Sequence, residues 1–332
     1  MIIKRTNRLS SPALRALMVS GLWVILSLGL VIGAEDPGSY PGKLAIEKGR
    51  GLSAEERLVE ARFAAYLEVD TDRAVALYLK KFGNEINADN ARELSWDYAP
   101  GGIEAKDLAS IAGRTRWGQA VHEPASALVK EIYRRLLAQK TPPNKRRQVF
   151  FTAGGAGVGK TTSIRADGEL SRAVQAAEIV YDTTLAGLSG AVSRINQGLA
   201  AGRMVSIVFV YRDPIDSVVD GVLLRAQLTG RTAPLDGLVR SHLASVETIL
   251  KIASQYENDR RVAIAIIDNR GGLGKAKPAD LDFVKAMARR YTYDDLKAQL
   301  SQALKEAYEK GKSGGKNGIS EAIYRAIAGH AP

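Results

Sequence analysis

The sequence predicts an α/β fold in which helices flank a parallel β-sheet, preceded by a helical N-terminal region. Two observations predict this class. Beyond residue 147, short apolar runs alternate with amphipathic helical segments, the pattern of a parallel sheet covered on both faces. A glycine-rich stretch at residues 154–159 lies directly between one such run and a helical segment. With 332 residues, 45% of them hydrophobic, the chain is long enough for two domains.

The N-terminus carries an apolar segment at residues 16–34 that contains no charged residue and follows four basic ones, Lys4, Arg5, Arg8 and Arg15. As a helix it would span roughly 28 Å, enough to cross a bilayer. We expect residues 1–34 to be a signal peptide or a membrane anchor, with membrane contact through residues 16–34 alone. Either would export the remainder of the chain.

The next two segments differ in composition. Residues 35–52 are rich in glycine and proline and are predicted to be a linker. Residues 53–146 are predicted to be a helical region. Three signals predict helix starts in this region: a capping box at Ser53 and Glu56, a cap at Asn87 or Asp89, and Pro124 at a first helical position. Gly83 is predicted to end a helix over residues 71–82.

Residues 147–332 are predicted to form the α/β domain. Apolar runs place strands at residues 149–151, 178–181, 205–211 and 262–267. Helical patterns follow residue 185, run from Asp213 toward Gln227 and from residue 235 to 256, and dominate from residue 279 onward. This order predicts a single mononucleotide-binding domain.

The glycine-rich stretch continues into Lys160 and Thr161 and spells G-x-x-x-x-G-K-T, a phosphate-binding loop (P-loop, or Walker A motif) in its strand-loop-helix context. Backbone N–H groups and the helix N-terminus would face the β-phosphate of ATP, Lys160 would reach the β and γ oxygens, and Thr161 would hold Mg²⁺. The predicted fold is therefore that of a P-loop NTPase or kinase. ATP chemistry predicts a compartment such as the cytoplasm, whereas residues 1–34 predict export or anchoring, so the sequence leaves localisation open. The residues expected to bind ATP are Gly154, Gly155, Ala156, Gly157, Val158, Gly159, Lys160, Thr161 and Thr162.

Other motifs distinguish the classes of P-loop protein. A Ras-type GTPase needs N-K-x-D, which is absent, and an AAA-type ATPase needs a strand that ends in Asp-Glu, also absent. A small-molecule kinase needs a carboxylate at the end of the neighbouring strand, and arginines around the phosphates. Asp182 ends the second strand, 22 residues after Lys160, and could alternatively cap the next helix.

Composition bears on partners. The net charge of +11 suits anionic ligands, and equally a solvated basic surface. No basic stretch is interleaved with aromatic residues, so nucleic-acid binding has no support. Cysteine is absent, which excludes disulfides, cysteine-liganded zinc and thiol nucleophiles. With three histidines, a histidine metal cluster is not expected.

Several segments together resemble a known family. Residues 225–234 read R-A-Q-L-T-G-R-T-A-P, R-S-H follows at 240–242, and the helical region contains G-N-E-I-N-A-D-N-A-R at 83–92 and H-E-P-A-S-A-L at 122–128. With the loop and Asp182, the chain resembles the zeta-toxin-like kinases over about residues 66–269. This resemblance implies ATP-dependent phosphorylation of a hydroxyl of a nucleotide sugar such as UDP-N-acetylglucosamine. It leaves open whether a protein antitoxin is a partner.

The resemblance also implies roles for individual residues. Lys160 and Thr161 would hold ATP and Mg²⁺, Asp182 would be the general base, Arg225 and Arg231 would stabilise the transferring phosphoryl group, and Asn269 and Arg270 would lie near the adenine. The chain departs from the family at Thr183 and Thr184, where a basic residue is expected. Two other functions remain open, an ATP-binding switch that acts on a protein partner and a polynucleotide 5′-kinase.

Overall fold

The computed structural model describes residues 44–329, which form an α/β fold with a six-stranded sheet flanked by helices. The strands are β1 Glu85–Ile86, β2 Arg146–Ala153, β3 Ala177–Asp182, β4 Met204–Tyr211, β5 Val262–Asp268 and β6 Lys277–Ala279. Their order is β1-β3-β2-β4-β5-β6; the first five are parallel, and β6 is antiparallel to β5. The predicted α/β class and largely parallel sheet are confirmed. The predictions for residues 1–34, and for the linker as far as residue 43, lie outside the described residues.

Fourteen α-helices accompany these strands within residues 44–329. They are α1 Ala54–Val69, α2 Thr71–Phe82, α3 Ala88–Arg92, α4 Leu108–Trp117, α5 His122–Ala138, α6 Lys160–Ala166, α7 Gly168–Ala176, α8 Leu188–Ala200, α9 Pro214–Ser217, α10 Leu224–Thr229, α11 Leu235–Gln255, α12 Leu281–Ala288, α13 Tyr293–Lys312 and α14 Glu321–Ala328. A π-helical turn, Val218–Leu223, joins α9 to α10.

Local sequence signals account for several helix ends. The Ser53 hydroxyl accepts from the Glu56 backbone N–H, and the Glu56 carboxylate accepts from the Ser53 N–H, so the predicted capping box is confirmed. Helix α2 ends at Gly83 as predicted, and Asn87 caps α3. The prediction for Pro124 was wrong in position: α5 begins two residues earlier, at His122.

The four predicted strands lie within β2, β3, β4 and β5. Strands β2 and β3 extend beyond the predicted residues at both ends, β4 only at its start and β5 only at its end. Strand β1 was not predicted because it is two residues long and has a single buried side chain, Ile86. Tertiary contacts hold it in place: Asn84 Nδ2 donates to the carbonyls of Ala177 and Glu178, at 3.0 Å each. The expected continuous helix after Asp213 is interrupted by the π-helical turn.

Three cores stabilise the fold. The first core lies between one face of the sheet, including Phe151 and Phe209, and helices α1, α2, α5, α8 and α11. The second core lies on the other face, where Phe150 and Val208 contact α6 and α7. The third core joins the π-helical turn, α10 and the start of α11 to the C-terminal helices α13 and α14. Residues before and after position 147 share the first core.

Candidate functional site

The glycine-rich loop, residues 154–159, connects β2 to α6 at the carboxyl end of the sheet. Gly154 has φ of 128° and Gly157 has φ of 76°, a backbone region in which side chains are strained. Close packing also requires glycine at both positions. A Cβ on Gly154 would overlap the Val210 carbonyl, and a Cβ on Gly157 would overlap the Ser217 carbonyl. These glycines therefore allow the loop to lie flat against β4 and α9.

Three neighbouring elements hold the loop from behind. The Asn269 amide donates to the Val158 carbonyl at 2.7 Å, which ties the loop to the end of β5. The His242 imidazole of α11 lies against Gly155, so closely that a Cβ there would overlap the ring. Gly221 of the π-helical turn approaches the carbonyl of Gly157, to which a Cβ on Gly221 would come within 2.7 Å. The loop is thus fixed by groups far apart in sequence.

Asp182 lies beside this loop and is held by three side chains. Its Oδ1 accepts from Thr152 Oγ1 at 2.5 Å and lies 3.4 Å from Lys160 Nζ. Its Oδ2 accepts from Asn87 Nδ2 at 2.5 Å. Thr152 and Asp182 are register partners in β2 and β3, so the parallel pairing itself brings them together. The structure therefore brings together Lys160, which the sequence predicts to bind phosphate, and Asp182, which it predicts to be the general base.

A cationic cluster continues from Asp182 along α3. Asp89 lies 3.2 Å from Arg92 and 3.6 Å from Arg225, and Arg92 contacts His122 Nδ1 at 2.6 Å. Burial opposes the charge on Asp89, but Arg92, Arg225 and Arg231 lower the pKa of Asp89 below its ordinary value. The Nε atoms of Arg92 and Arg225 are buried and have no hydrogen-bond partner among the described residues.

Arg231 is held by a buried acid that the sequence analysis did not identify. Glu93 Oε1 accepts from Arg231 at 2.8 Å, and Glu93 also receives a bidentate pair of bonds from Arg114, at 2.9 and 2.7 Å. The Glu93 side chain is fully buried and that of Arg114 is 2% exposed. Glu93 therefore orients the Arg231 side chain, and Arg114 balances the negative charge of Glu93.

A pocket of about 290 Å³ opens beside the loop, between α6 and the segment after β5. Three residues that the sequence predicts to bind a nucleotide line it: Asn269, Gly159 and Thr162. Arg270 is directed elsewhere: it makes a bidentate pair with Asp268, at 2.9 Å for both bonds. Thr161 is exposed at the first turn of α6.

Thr152, Asn87 and Glu93 were not identified as site residues from the sequence. A signal was available for two of them, because Thr152 is a polar residue at the end of an apolar strand before the loop, and Asn87 is a helix cap two residues from Asp89. Glu93 has no such signal, since its partners are 21 and 138 residues away.

Residues 44–329 contain neither a cluster of metal-ligating side chains nor a membrane-spanning helix. No three histidine or acidic side chains in this range are grouped so that they could hold a metal ion. No helix described here combines the length and the apolar character that crossing a bilayer requires.

No protein-family model matches the chain, and no curated protein is similar to it at a significant level. The residues of the site and their geometry are therefore the basis for inferring its function.

Proposed function

We propose that the protein is an ATP-dependent kinase with a P-loop kinase fold of the zeta-toxin type. It would transfer the γ-phosphate to a hydroxyl of a nucleotide sugar such as UDP-N-acetylglucosamine. The observation that carries the proposal is the 3.4 Å contact between Lys160 and Asp182 at the mouth of the glycine-rich loop. A phosphate-binding lysine and a carboxylate on the neighbouring strand are the two groups that such a reaction requires.

The nucleotide half of the site is supported by the loop and the pocket beside it. Backbone N–H groups of the loop and the N-terminus of α6 suit the phosphates of ATP. The pocket next to Asn269 is the candidate site for the adenine. The hydroxyl of Thr161 would bind Mg²⁺. The ion would neutralise part of the negative charge of the phosphates.

The acceptor half is supported by Asp182 and the cationic cluster. The acceptor oxygen would form a bond to the γ-phosphorus as the bond to ADP breaks, and its proton would pass to Asp182. Thr152 and Asn87 hold the carboxylate in place for that transfer. Arg225 and Arg231, on the α10 side, would stabilise the phosphoryl oxygens.

The charge of the cleft favours an anionic acceptor. Glu93 is balanced by Arg114, and Glu85 near Asp182 by Arg165. This leaves two carboxylates, Asp89 and Asp182, against four cations, Lys160, Arg92, Arg225 and Arg231. An acceptor that carries a diphosphate, as a nucleotide sugar does, would compensate this excess.

The test is a product assay with γ-labelled ATP and a panel of nucleotide sugars. We expect label on a sugar with the wild type, none with Lys160→Ala, and a rate lower by about 10²–10⁴ with Asp182→Asn, because that is the usual contribution of a general base. ATP affinity should change little in Asp182→Asn. Asp282→Asn is the matched control, because that carboxylate is 85% exposed and lies on α12.

Other outcomes separate the alternatives. Label found only as free phosphate would support an ATP-binding switch, and label on single-stranded 5′ ends would support a polynucleotide kinase. Equal transfer rates in the wild type and Asp182→Asn, at matched stability, would remove Asp182 from the mechanism.

A further inference from the structure

The edge of the sheet opposite the candidate site is formed by three segments that lead into strands. They are residues 139–147, which open β2, residues 201–203 before β4 and residues 256–261 before β5. Because these strands are parallel, all three segments lie at the amino ends of the strands, and we call them the amino edge. Hydrogen bonds join two of them: Arg203 donates to the Gln139 carbonyl at 2.8 Å, and Arg147 to the Ala201 carbonyl at 2.9 Å.

The amino edge concentrates the positive charge of the described chain. Its 18 residues include seven basic and two acidic ones. The rest of residues 44–329 holds 35 basic and 32 acidic residues and is therefore nearly balanced. Two of the seven basic residues have carboxylate partners: buried Arg203 pairs with Glu178 at 2.9 Å, and Arg261 with Asp259 at 2.7 Å.

The other five basic side chains of the amino edge form no ion pair within residues 44–329: Lys140, Lys145, Arg146, Arg147 and Arg260. All of them except Lys145, which is half-buried, are exposed. The remaining acid of the amino edge, Glu257, is exposed and offsets one of these charges. The edge therefore presents a net charge of about +4 to solvent.

Local contacts hold part of this charge in place without neutralising it. Lys145 donates to the Gln175 carbonyl at 2.7 Å, and Arg147 is fixed by its bond to Ala201. On the adjoining flank, the acids Glu131 and Asp72 are already paired with arginines of α5, at 2.7 and 2.6 Å. These flanking carboxylates are therefore occupied by their own partners.

The distribution of the charge indicates the kind of partner. The cations are spread over an outer surface, which suits an extended anionic surface better than a single small anion. The aromatic residue of the amino edge, Tyr256, is 8% exposed, so the edge offers no ring on which an unpaired base could stack. A membrane of anionic lipids requires phosphate contacts alone, and this is the partner that the edge fits.

The start of the described chain lies within reach of such a membrane. Residues 16–34 are predicted to contact a bilayer, and the stretch from residue 34 to residue 44 spans at most about 36 Å. Glu47 lies 3.8 Å from Lys130 of α5. Helix α5 ends at Ala138, roughly 12 Å further along its axis and next to the amino edge. The linker is therefore long enough for the amino edge to reach the same membrane.

We propose that the amino edge binds an anionic membrane surface through Lys140, Arg146, Arg147 and Arg260. The sequence predicts membrane contact through residues 16–34 alone, and the charge of this edge adds a second contact that orients the domain. The glycine-rich loop is at the carboxyl ends of the same strands, so it would face away from the membrane and remain open to solutes. This inference does not depend on the proposed phosphotransfer.

The test measures the orientation of the full chain on vesicles by energy transfer from a dye on the protein to a labelled lipid. The chain has no cysteine, so one introduced cysteine takes the dye at one position. Asn144→Cys places the dye at the amino edge, and Asp216→Cys places it on α9, after the carboxyl end of β4; both positions are exposed. On phosphatidylcholine vesicles that contain phosphatidylglycerol, we expect at least about twofold more transfer from position 144 than from position 216.

Salt and lipid composition should remove this difference. On vesicles of phosphatidylcholine alone, or at about 0.5 M NaCl, where the Debye length is about 4 Å, the two positions should give similar transfer. Each basic residue near an anionic surface contributes about fivefold to binding, or ~1 kcal/mol. Replacing Lys140, Arg146, Arg147 and Arg260 together by Gln should therefore equalise the two positions on the anionic vesicles as well.

A matched control removes the same number of charges elsewhere. Replacing the exposed Arg57, Lys305, Lys310 and Lys316 by Gln should leave the difference between the two dye positions unchanged.

The proposal is overturned if positions 144 and 216 give equal transfer on the anionic vesicles, or if the difference persists on phosphatidylcholine alone. It is also overturned if the vesicles produce no difference while a single-stranded oligonucleotide binds the wild type and not the fourfold variant, since the edge would then serve nucleic acid. The comparisons of salt and lipid on the wild type decide the matter even if the fourfold variant does not fold.

Discussion

Glu93 offers the most direct test of how the arginine-bearing part of the site is held. Its carboxylate is fully buried and accepts from both Arg114 and Arg231, and in addition from the Glu104 backbone N–H at 2.9 Å. Removing one partner of a buried ion pair typically destabilises a protein by about 3–5 kcal/mol, because the remaining charge stays buried. Glu93→Gln would leave the Arg114 side chain, which is only 2% exposed, as a buried positive charge without its carboxylate partner. Since 1.4 kcal/mol is a factor of ten, the unfolding equilibrium should rise by about a hundredfold or more.

The assay is urea unfolding followed by circular dichroism. With a slope of about 1–3 kcal/mol per molar urea, a loss of 3 kcal/mol should lower the midpoint by about 1 M or more. The matched control is Glu104→Gln, whose side chain is 51% exposed and pairs with Lys81 at the surface; it should change stability by no more than ~1 kcal/mol. A Glu93→Gln midpoint within about 0.3 M of the wild type would refute the reasoning.

Acidification gives an independent check on Glu93. Burial alone would raise its pKa, but the hydrogen bonds and charges of Arg114 and Arg231 lower it below the ordinary 4.5. A lowered pKa in the fold means that the stabilisation is complete above pH 4.5 and is lost as the pH falls below it. Glu93→Gln should therefore lose less stability than the wild type between pH 5 and pH 3.

Three further predictions concern the groups behind the loop and beside it. Burial lowers the pKa of His242 to about 4 in the fold, against 6.5 in the unfolded chain, so the free energy of unfolding should fall by up to ~3 kcal/mol as the pH drops from 6.5 to 4. In urea titrations at several pH values, His242→Gln should show a weaker dependence on pH than the wild type. Gly221→Ala would place a Cβ 2.7 Å from a loop carbonyl and should weaken ATP binding about tenfold by calorimetry; Gly237→Ala, whose nearest atom is 3.8 Å away, should not. Thr152→Val removes the 2.5 Å bond to Asp182 and should lower phosphotransfer at least about tenfold, with Thr152→Ser restoring it; equal rates would contradict this positioning role.

The sequence predicted the elements whose signals are local. Strands β2 to β5 are apolar runs, α1 begins at a capping box, and the glycine-rich loop is recognisable from the residues it needs. Asp182 was found by the same reasoning, because a carboxylate at a strand end adjoins the end of the next parallel strand.

The remainder depends on contacts between distant parts of the chain. Strand β1 has one buried residue and exists because Asn84 binds the backbone of β3. The π-helical turn was expected to be a regular helix, and Gly221 within it packs against Gly157, 64 residues earlier in the chain. Glu93 was missed because an acid that directly follows a short helix carries no sign that it will be buried between two arginines.

The third core has a consequence for synthesis on the ribosome. The π-helical turn and α10, which carries Arg225, bury their apolar side chains against α13 and α14, and Gln227 donates to the carbonyl of Gly318. Chains fold from the N-terminus as they emerge, so the glycine-rich loop is made long before these helices exist. A nascent chain that already holds Lys160 and Asp182 would still lack a fixed Arg225. The order of translation thus delays completion of the site until almost the whole described chain has been made.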